Sequence, residues 1–576
     1  MIDTMIRPAI FAAALALACG VAHGRTVAPA ETAMNSYARV QTMRDEAEAM
    51  IAEGATSKDA RLNAARHLEA ALAYLDTPAV RDLASGNEYL YFRGFDTRRD
   101  LAAIYNDLGM KDKALSSLED TLRLAWLPQL AKLVADDASL SKLRDEPRFK
   151  VVMATSAIPD RLWNSPALAP PFKKTLTPEE RVAGLSLFWT QVRENFVYFD
   201  HVPELEWDKI YLEYLSKVLA TTTTRDYYRV LMQLAPLLHD GHTNIYEPEE
   251  LAKAFSARPP MQTVMLDNKV LIESIHSASL QGRLKVGDEI VTIDDIPVQR
   301  YAQERVAPFV SSSTPQDRTL RMYNYQLLRG ERDTPVRLRL RNGEGQERVE
   351  IVARSGYQDI HSPPQFTFRM LPGEVAYFSL DHFESDEGVK AFVRVLPQIM
   401  KAKSLVLDLR RNGGGSTSYG LEILSYLSKK PIMAAHSYTR ADNAYSRMDG
   451  NVIKWKPNPE NGIPIPFDRK QIFAGPVAVL IGPRTFSAGE DFVVSFETMQ
   501  RGITIGEATG GSTGQPMVID LPGGGTGRIC VKRDTYPDGR EFVGKGIQPS
   551  IVVETSVAAL RAGRDIVLDR AISSLK

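Results

Sequence analysis

Three short stretches carry residues whose types and spacing could do covalent chemistry. Thr485-Phe486-Ser487-Ala488-Gly489-Glu490 follows the apolar run Pro476 to Ile481 and leads into Asp491 to Met499, where Phe492, Val493 and Phe496 share one helical side. A serine on a strand-to-helix turn presents its hydroxyl to a cleft, so Ser487 is the candidate nucleophile. Leu405, Val406, Leu407 and Leu409 form a second apolar strand, with Arg411-Asn412-Gly413-Gly414-Gly415 directly after it. Glycines let backbone N–H groups turn into one cavity, so this run is a candidate nest of donors. His242, within His239-Asp240-Gly241-His242-Thr243-Asn244, can accept and return a proton near neutral pH, which makes it the candidate base. Activity is then expected to fall as this imidazole protonates near neutrality.

Other chemistries fit less well. His239 and His242 have no His-Glu-x-x-His pattern, no nearby cysteine and no third ligand by spacing, so no metal is expected. The Gly/Thr-rich span from Gly506 to Gly527 lacks a Gly-x-x-x-x-Gly-Lys-Ser/Thr motif, which argues against nucleotide binding. It is better suited to lining a cleft for an extended peptide. No cofactor is expected.

The elements that must position these residues fall into several segments. The 576 residues are 44% hydrophobic and 24% charged, ordinary globular proportions for a multidomain chain, and a net charge of −1 makes no case for nucleic acid or an anionic membrane as partner. Arg7, the apolar run Ile10 to Val21 and the small-x-small end Ala22-His23-Gly24 read as a secretory signal over 1–24, implying a periplasmic or secreted protein. Ala16-Leu17-Ala18-Cys19-Gly20 loosely resembles a lipoprotein cleavage box, so a lipid anchor at Cys19 is an alternative. Cleavage after Gly24 leaves only Cys530, which excludes an intrachain disulfide.

Residues 25–165 have helical spacing, with Leu62, Ala65, Leu68, Leu72 and Leu75 in one series and Leu101 to Leu118 in a second, bending at Gly109; they resemble degenerate tetratricopeptide repeats. Residues 175–262 read as a helical unit, opened by a capping box at Thr177-Pro178-Glu179-Glu180 and closed by the histidine motif. Within 263–355, Leu284-Lys285-Val286-Gly287-Asp288-Glu289-Ile290 followed by Asp294-Asp295 resembles a PDZ domain, which implies a polypeptide captured along a sheet edge. The span Arg300 to Tyr325 is long for such a domain, so a spacer with a degenerate groove is the competing reading.

Taken in order, the Asp-Gly-His-Thr motif, the PDZ-like insert, Asp408-Leu409-Arg410-x-Asn412-x-Gly414-Gly415, Thr485-x-Ser487-Ala488-Gly489-Glu490 and Gly506-Glu507-x-Thr509-x-Gly511 resemble the S41 peptidases, the C-terminal-processing and tricorn-like proteases. The resemblance implies a serine endopeptidase acting on unfolded or C-terminally exposed polypeptides. It implies a ClpP/crotonase-like βαβ spiral over 356–576, within a multidomain α+β chain. It makes Ser487 the nucleophile, His242 the base, and the amides of Gly414 or Gly415 with Ala488 the oxyanion hole. The lysine of the family's other branch has no counterpart in Gly506-Glu507-Ala508-Thr509-Gly510-Gly511-Ser512. Val543 stands where tricorn-like members carry a glutamate; Glu541, two residues earlier on the same face of an expected strand, is the favoured triad acid, with Asp534, Asp538, Ser512 and a plain dyad as rivals. A non-catalytic polypeptide-binding protein with a decayed core is the alternative function. Homo-oligomerisation is left open.

Overall fold

Burial on both faces explains why the strands around Ser487 are continuous apolar runs rather than alternating ones. In the computed structural model, Val375–Leu380, Ser404–Asp408, Val477–Ile481, Ile503–Gly506 and Ile551–Val552 run parallel and adjacent in sequence order, and Phe366–Leu371 pairs antiparallel at one edge. Period-two alternation sends Leu405, Leu407, Val477 and Val479 to one face, against Phe392, Leu424 and Phe496 of the helices Glu387–Ile399, Thr417–Leu424 and Ala488–Thr498. The intervening Val406, Ala478 and Leu480 meet Val567 and Ala571 of the helix Ile566–Ser574 on the other. The expected ClpP/crotonase-like spiral is therefore wrong. One six-stranded layer grows in a single direction between helices, with small antiparallel sheets beside it, instead of stacking repeated βαβ turns.

The structure describes residues 32–575 except 55–56, 125–127, 164–165, 356–363, 442 and 451–453. The expected signal at 1–24 and its Cys19 lie outside the described residues. Two compact units are present, Met1–Asn164 and Ser165–Lys576. In the first, the helices Lys58–Leu75, Glu88–Asp107 and Lys111–Leu124 bury Ala65, Leu68, Leu101, Ala102, Ala114 and Leu118 in one core. Gly109 makes the turn between the last two at φ 73°, a conformation that glycine adopts without strain.

In the second unit the capping box at Thr177 is present, Thr177 and Glu180 each accepting the other's backbone N–H. The helices Pro178–Asn195, Trp207–Leu219 and Thr224–Leu231 lead to a 3₁₀ turn, Ala235–Leu238, which ends on His239 at φ 49°. The short strand Asn244–Tyr246 then pairs antiparallel with Gly525–Cys530, Asn244 opposite Arg528. This pairing carries His242 to the side of the molecule where Ser487 stands. Six strands from Met261–Leu266 to Glu347–Val352 form the sheet of the intervening region. The stretch Arg300 to Tyr325 is helical on either side of an irregular segment at 310–314, burying Val306, Met322 and Tyr323 in that region's core.

Candidate active site

Ser487 stands between the strand Val477–Ile481 and the helix Ala488–Thr498 with φ 56° and ψ −126°. A side chain adopts this conformation only where its surroundings impose it, and here it lifts the hydroxyl out of the turn. The neighbours that impose it are backbone groups. Ser487 N–H donates to the Ser512 carbonyl at 3.1 Å, and Phe486 N–H donates to the Asn412 carbonyl at 3.0 Å. Two glycine-rich loops thus grip the Ser487 turn from either side.

His242 Nε2 lies 3.1 Å from Ser487 Oγ. Its ring stacks on Phe486 with centroids 4.7 Å apart and 19° between planes. The loop holding it is tied internally, Thr243 Oγ1 donating to Asp240 Oδ2 at 2.6 Å and Asn244 Nδ2 to the Gly241 carbonyl at 2.9 Å. It is also tied from outside. Gly241 N–H donates to Ser313 Oγ at 2.9 Å, and the Arg321 guanidinium, paired with Asp317 at 2.6 Å, lies over the Phe486 ring. Both outside contacts come from the Arg300–Tyr325 stretch. Burial, followed by the charges of Arg528, Arg321 and Lys532, pushes the imidazole down to about 3. The expectation of a near-neutral histidine limb is corrected accordingly: His242 stays neutral well into the acid range.

The other ring nitrogen, Nδ1, meets Ser512 Oγ at 2.8 Å. Behind Ser512 stands Glu490, fully buried, which accepts Ser512 N–H and Gly511 N–H at 2.8 Å each and the Thr509 hydroxyl. Burial raises the Glu490 carboxyl to about 7 against the opposing effect of those three donors. A carboxylate that accepts from three donors fixes the loop Thr509 to Ser512, and through it the serine facing the imidazole.

The structure does not bring Glu541 to His242. Glu541 is exposed and pairs with Arg533 at 3.2 Å and Lys545 at 3.4 Å. The strand alternation that favoured it does not exist, because residues 541–542 are irregular and 543–545 form a turn. Asp538 binds Arg540 on the surface, and Asp534 is buried against Lys532 at 3.0 Å. Of the acid's rivals, Ser512 is the residue beside the imidazole. Glu490 escaped notice because it reads as an ordinary first-turn acid of a helix; the available signal was an acid pair, Glu490-Asp491, directly before the apolar Phe492-Val493-Val494.

Among the oxyanion candidates, Gly414 N–H is committed to Asn412 Oδ1 at 3.0 Å. Gly415 and Ala488 N–H have no acceptor among the described residues. Gly414 and Gly415 take φ of 98° and 133°; a Cβ on Gly414 would lie 2.6 Å from Ser487 Cβ, and one on Gly415 would lie 2.2 Å from the Phe383 backbone. Only glycine lets this loop approach both walls. The resulting cleft, about 670 Å³, is lined by the 413–418 loop, His242, Ser487, Gly514 to Pro516, Arg528 and Lys532. Among the described residues no group of three or more His, Cys, Asp or Glu side chains could hold a metal ion.

Residues 374–553 match the family described as Peptidase family S41. The chain is 23% identical over 376 residues to the chloroplastic C-terminal processing peptidase of Tetradesmus obliquus, covering 61% of this chain and 73% of that one. It is 24% identical over 190 residues to the tail-specific protease of Haemophilus influenzae, covering 32% of this chain and 24% of that protein. Mature CPAF, solved in complex with lactacystin, superposes with a TM-score of 0.55 at 14% identity over 69% of this chain and 98% of that one. That likeness is one of fold, a helical region with a β-sheet protease domain, and it replaces the spiral as the architecture of the core.

Proposed function

We propose, from the premise that this chain is a serine-type peptidase of family S41 acting on polypeptides, that Ser487, His242 and Ser512 are its working triad. The observation that carries the assignment is the His242 Nε2 to Ser487 Oγ approach of 3.1 Å at a nucleophile held at φ 56°. His242 takes the Ser487 proton as Oγ attacks the peptide carbonyl. Gly415 and Ala488 N–H, the two amides left without an acceptor, receive the oxyanion. The imidazolium then gives its proton to the leaving amine, and the neutral ring activates water against the acyl-enzyme. Ser512 Oγ accepts a hydrogen bond from Nδ1–H and so keeps Nε2 free to act, while Glu490 holds Ser512 in place from behind. Reaction with a fluorophosphonate followed by peptide mapping tests the assignment. Label on Ser487, with hydrolysis of an unfolded protein lost by about 10³-fold or more in both Ser487→Ala and His242→Ala, is expected. Label on Ser416, Ser418 or Ser512 with Ser487 dispensable would overturn it.

The PDZ-like region is read here as a positioning element first and a recruiter second. Its edge strand Met261–Leu266 has the Thr263 carbonyl already bonded by Asn324 Nδ2 at 2.6 Å, so an added peptide strand would compete with the region's own helix. Its Ser313 and Arg321, by contrast, act on the histidine loop and the ring beneath it. Export through the 1–24 signal, with a lipid anchor at Cys19 as the alternative, and a tetratricopeptide-like role for the first unit rest on the sequence patterns. Among the described residues no helix is long and apolar enough to cross a membrane.

A further inference from the structure

The active-site cleft carries three cations and two carboxylates, and they are not matched. Arg321 is neutralised by Asp317 at 2.6 Å and Lys532 by Asp534 at 3.0 Å. Of the carboxylates, Glu384 lies 4.0 Å from His382 with 77% of its side chain exposed, and Asp491 is buried and accepts the Thr417 hydroxyl. The Arg528 side chain has neither an ion pair nor a hydrogen bond among the described residues, although it lines the same cleft as His242 and Ser487. Its backbone is held in a sheet. It stands in the strand Gly525–Cys530, opposite Asn244 on one side and Val518 on the other, two residues along the chain from the histidine in the first case.

An unmatched guanidinium here has a chemical consequence. The reaction develops positive charge on His242, and among the charged groups acting on that imidazole Arg528 is the strongest. Left alone, it opposes the imidazolium that must form during acyl transfer. A substrate carboxylate bound to Arg528 would remove this opposition and gain a charge-assisted, bidentate contact that no group of the cleft supplies. Binding energy and chemistry would then favour the same substrates.

We infer that Arg528 is a specificity-determining residue, forming a subsite for a carboxylate of the polypeptide substrate close to the scissile bond. The inference rests on the peptidase reading above. Two sources offer that carboxylate: an Asp or Glu side chain, or the α-carboxylate of a chain end lying a few residues beyond the cut.

Three short fluorogenic peptides separate them: a neutral sequence with an amidated end, the same sequence with one internal Glu and an amidated end, and the neutral sequence with a free carboxylate. The expected result is kcat/KM about tenfold higher for at least one carboxylate peptide than for the neutral one, the favoured peptide identifying the source. In Arg528→Gln that ratio should fall to about one. Arg528→Glu should reverse it in favour of a Lys-bearing peptide, and Arg528→Lys should keep part of it. Equal kcat/KM for all three peptides in the unaltered protein, or a preference that survives in Arg528→Gln, would overturn the inference. Fluorophosphonate labelling of Ser487 in the same preparations reports the triad independently of substrate charge. Failure to label there counts against the peptidase assignment, and normal labelling without charge discrimination counts against Arg528 alone.

Discussion

At the scale of single residues, the unusual member of this site is the partner of His242 Nδ1. A hydroxyl orients an imidazole as a carboxylate does, but it places no full charge against the imidazolium. Ser512→Ala should therefore lower kcat by about 10- to 100-fold with little change in KM, since the group acts on the base and not on bound substrate. Glu541→Gln should leave both constants near their original values, because Glu541 is engaged with Arg533 and Lys545 at the surface. Steady-state kinetics on one short peptide compares the two variants directly. The acid limb belongs to a different residue. His242, pushed down to about 3, stays unprotonated until the pH falls toward that value, whereas Glu490 sits at about 7 and takes up its proton as the pH falls through that value. A protonated carboxyl has lost acceptor capacity toward Thr509, Gly511 and Ser512, so the loop behind the imidazole loosens. The pH profile of kcat/KM should fall on the acid side with an apparent pKa near 7, and Glu490→Gln should abolish that limb while lowering the plateau.

At the scale of elements, the histidine loop is supported by an insert, Arg300 to Tyr325, from the intervening region. Ser313 Oγ accepts Gly241 N–H, and the cap Thr314 anchors the insert by donating to the Gly510 carbonyl at 2.9 Å, next to the loop that carries Ser512. One insert therefore touches both neighbours of the imidazole. Ser313→Ala leaves Gly241 N–H without that acceptor, which costs about 1–3 kcal/mol where the group is shielded from water. Its kcat should drop by about tenfold on long and short substrates alike. A recruiting surface would behave otherwise, raising KM for the long chain only. Kinetics of this one variant on both substrates distinguishes the two roles of the region.

At the scale of the whole molecule, every contact that builds the site lies within Ser165–Lys576. A chain beginning at Ser165 should hydrolyse a short peptide with kcat/KM within about threefold of the full chain; a larger loss would show that the first unit takes part in catalysis. How much of this was legible beforehand varied with the range of the interaction. The apolar strands 405–409 and 476–481, the capping box at Thr177, the turn placement of Ser487 and the loop character of the His242 motif follow from local periodicity and turn chemistry, which adjacent residues determine. The central sheet's single-layer topology did not follow from them, since the same continuous apolar runs serve a spiral or an open sheet and only strand neighbours tell them apart. The partner of His242 Nδ1 was missed for a similar reason: Glu541 was placed by assuming a strand where the chain forms none. The contacts of His242 with Ser512, and of Glu490 with Ser512 N–H, join residues 270 and 22 positions apart. The sequence by itself determined which groups could attack, accept a proton and donate N–H groups. Only the tertiary structure decided which of them meet, because hydrogen bonds and burial are set by distances that close when the strands pair and the loops pack.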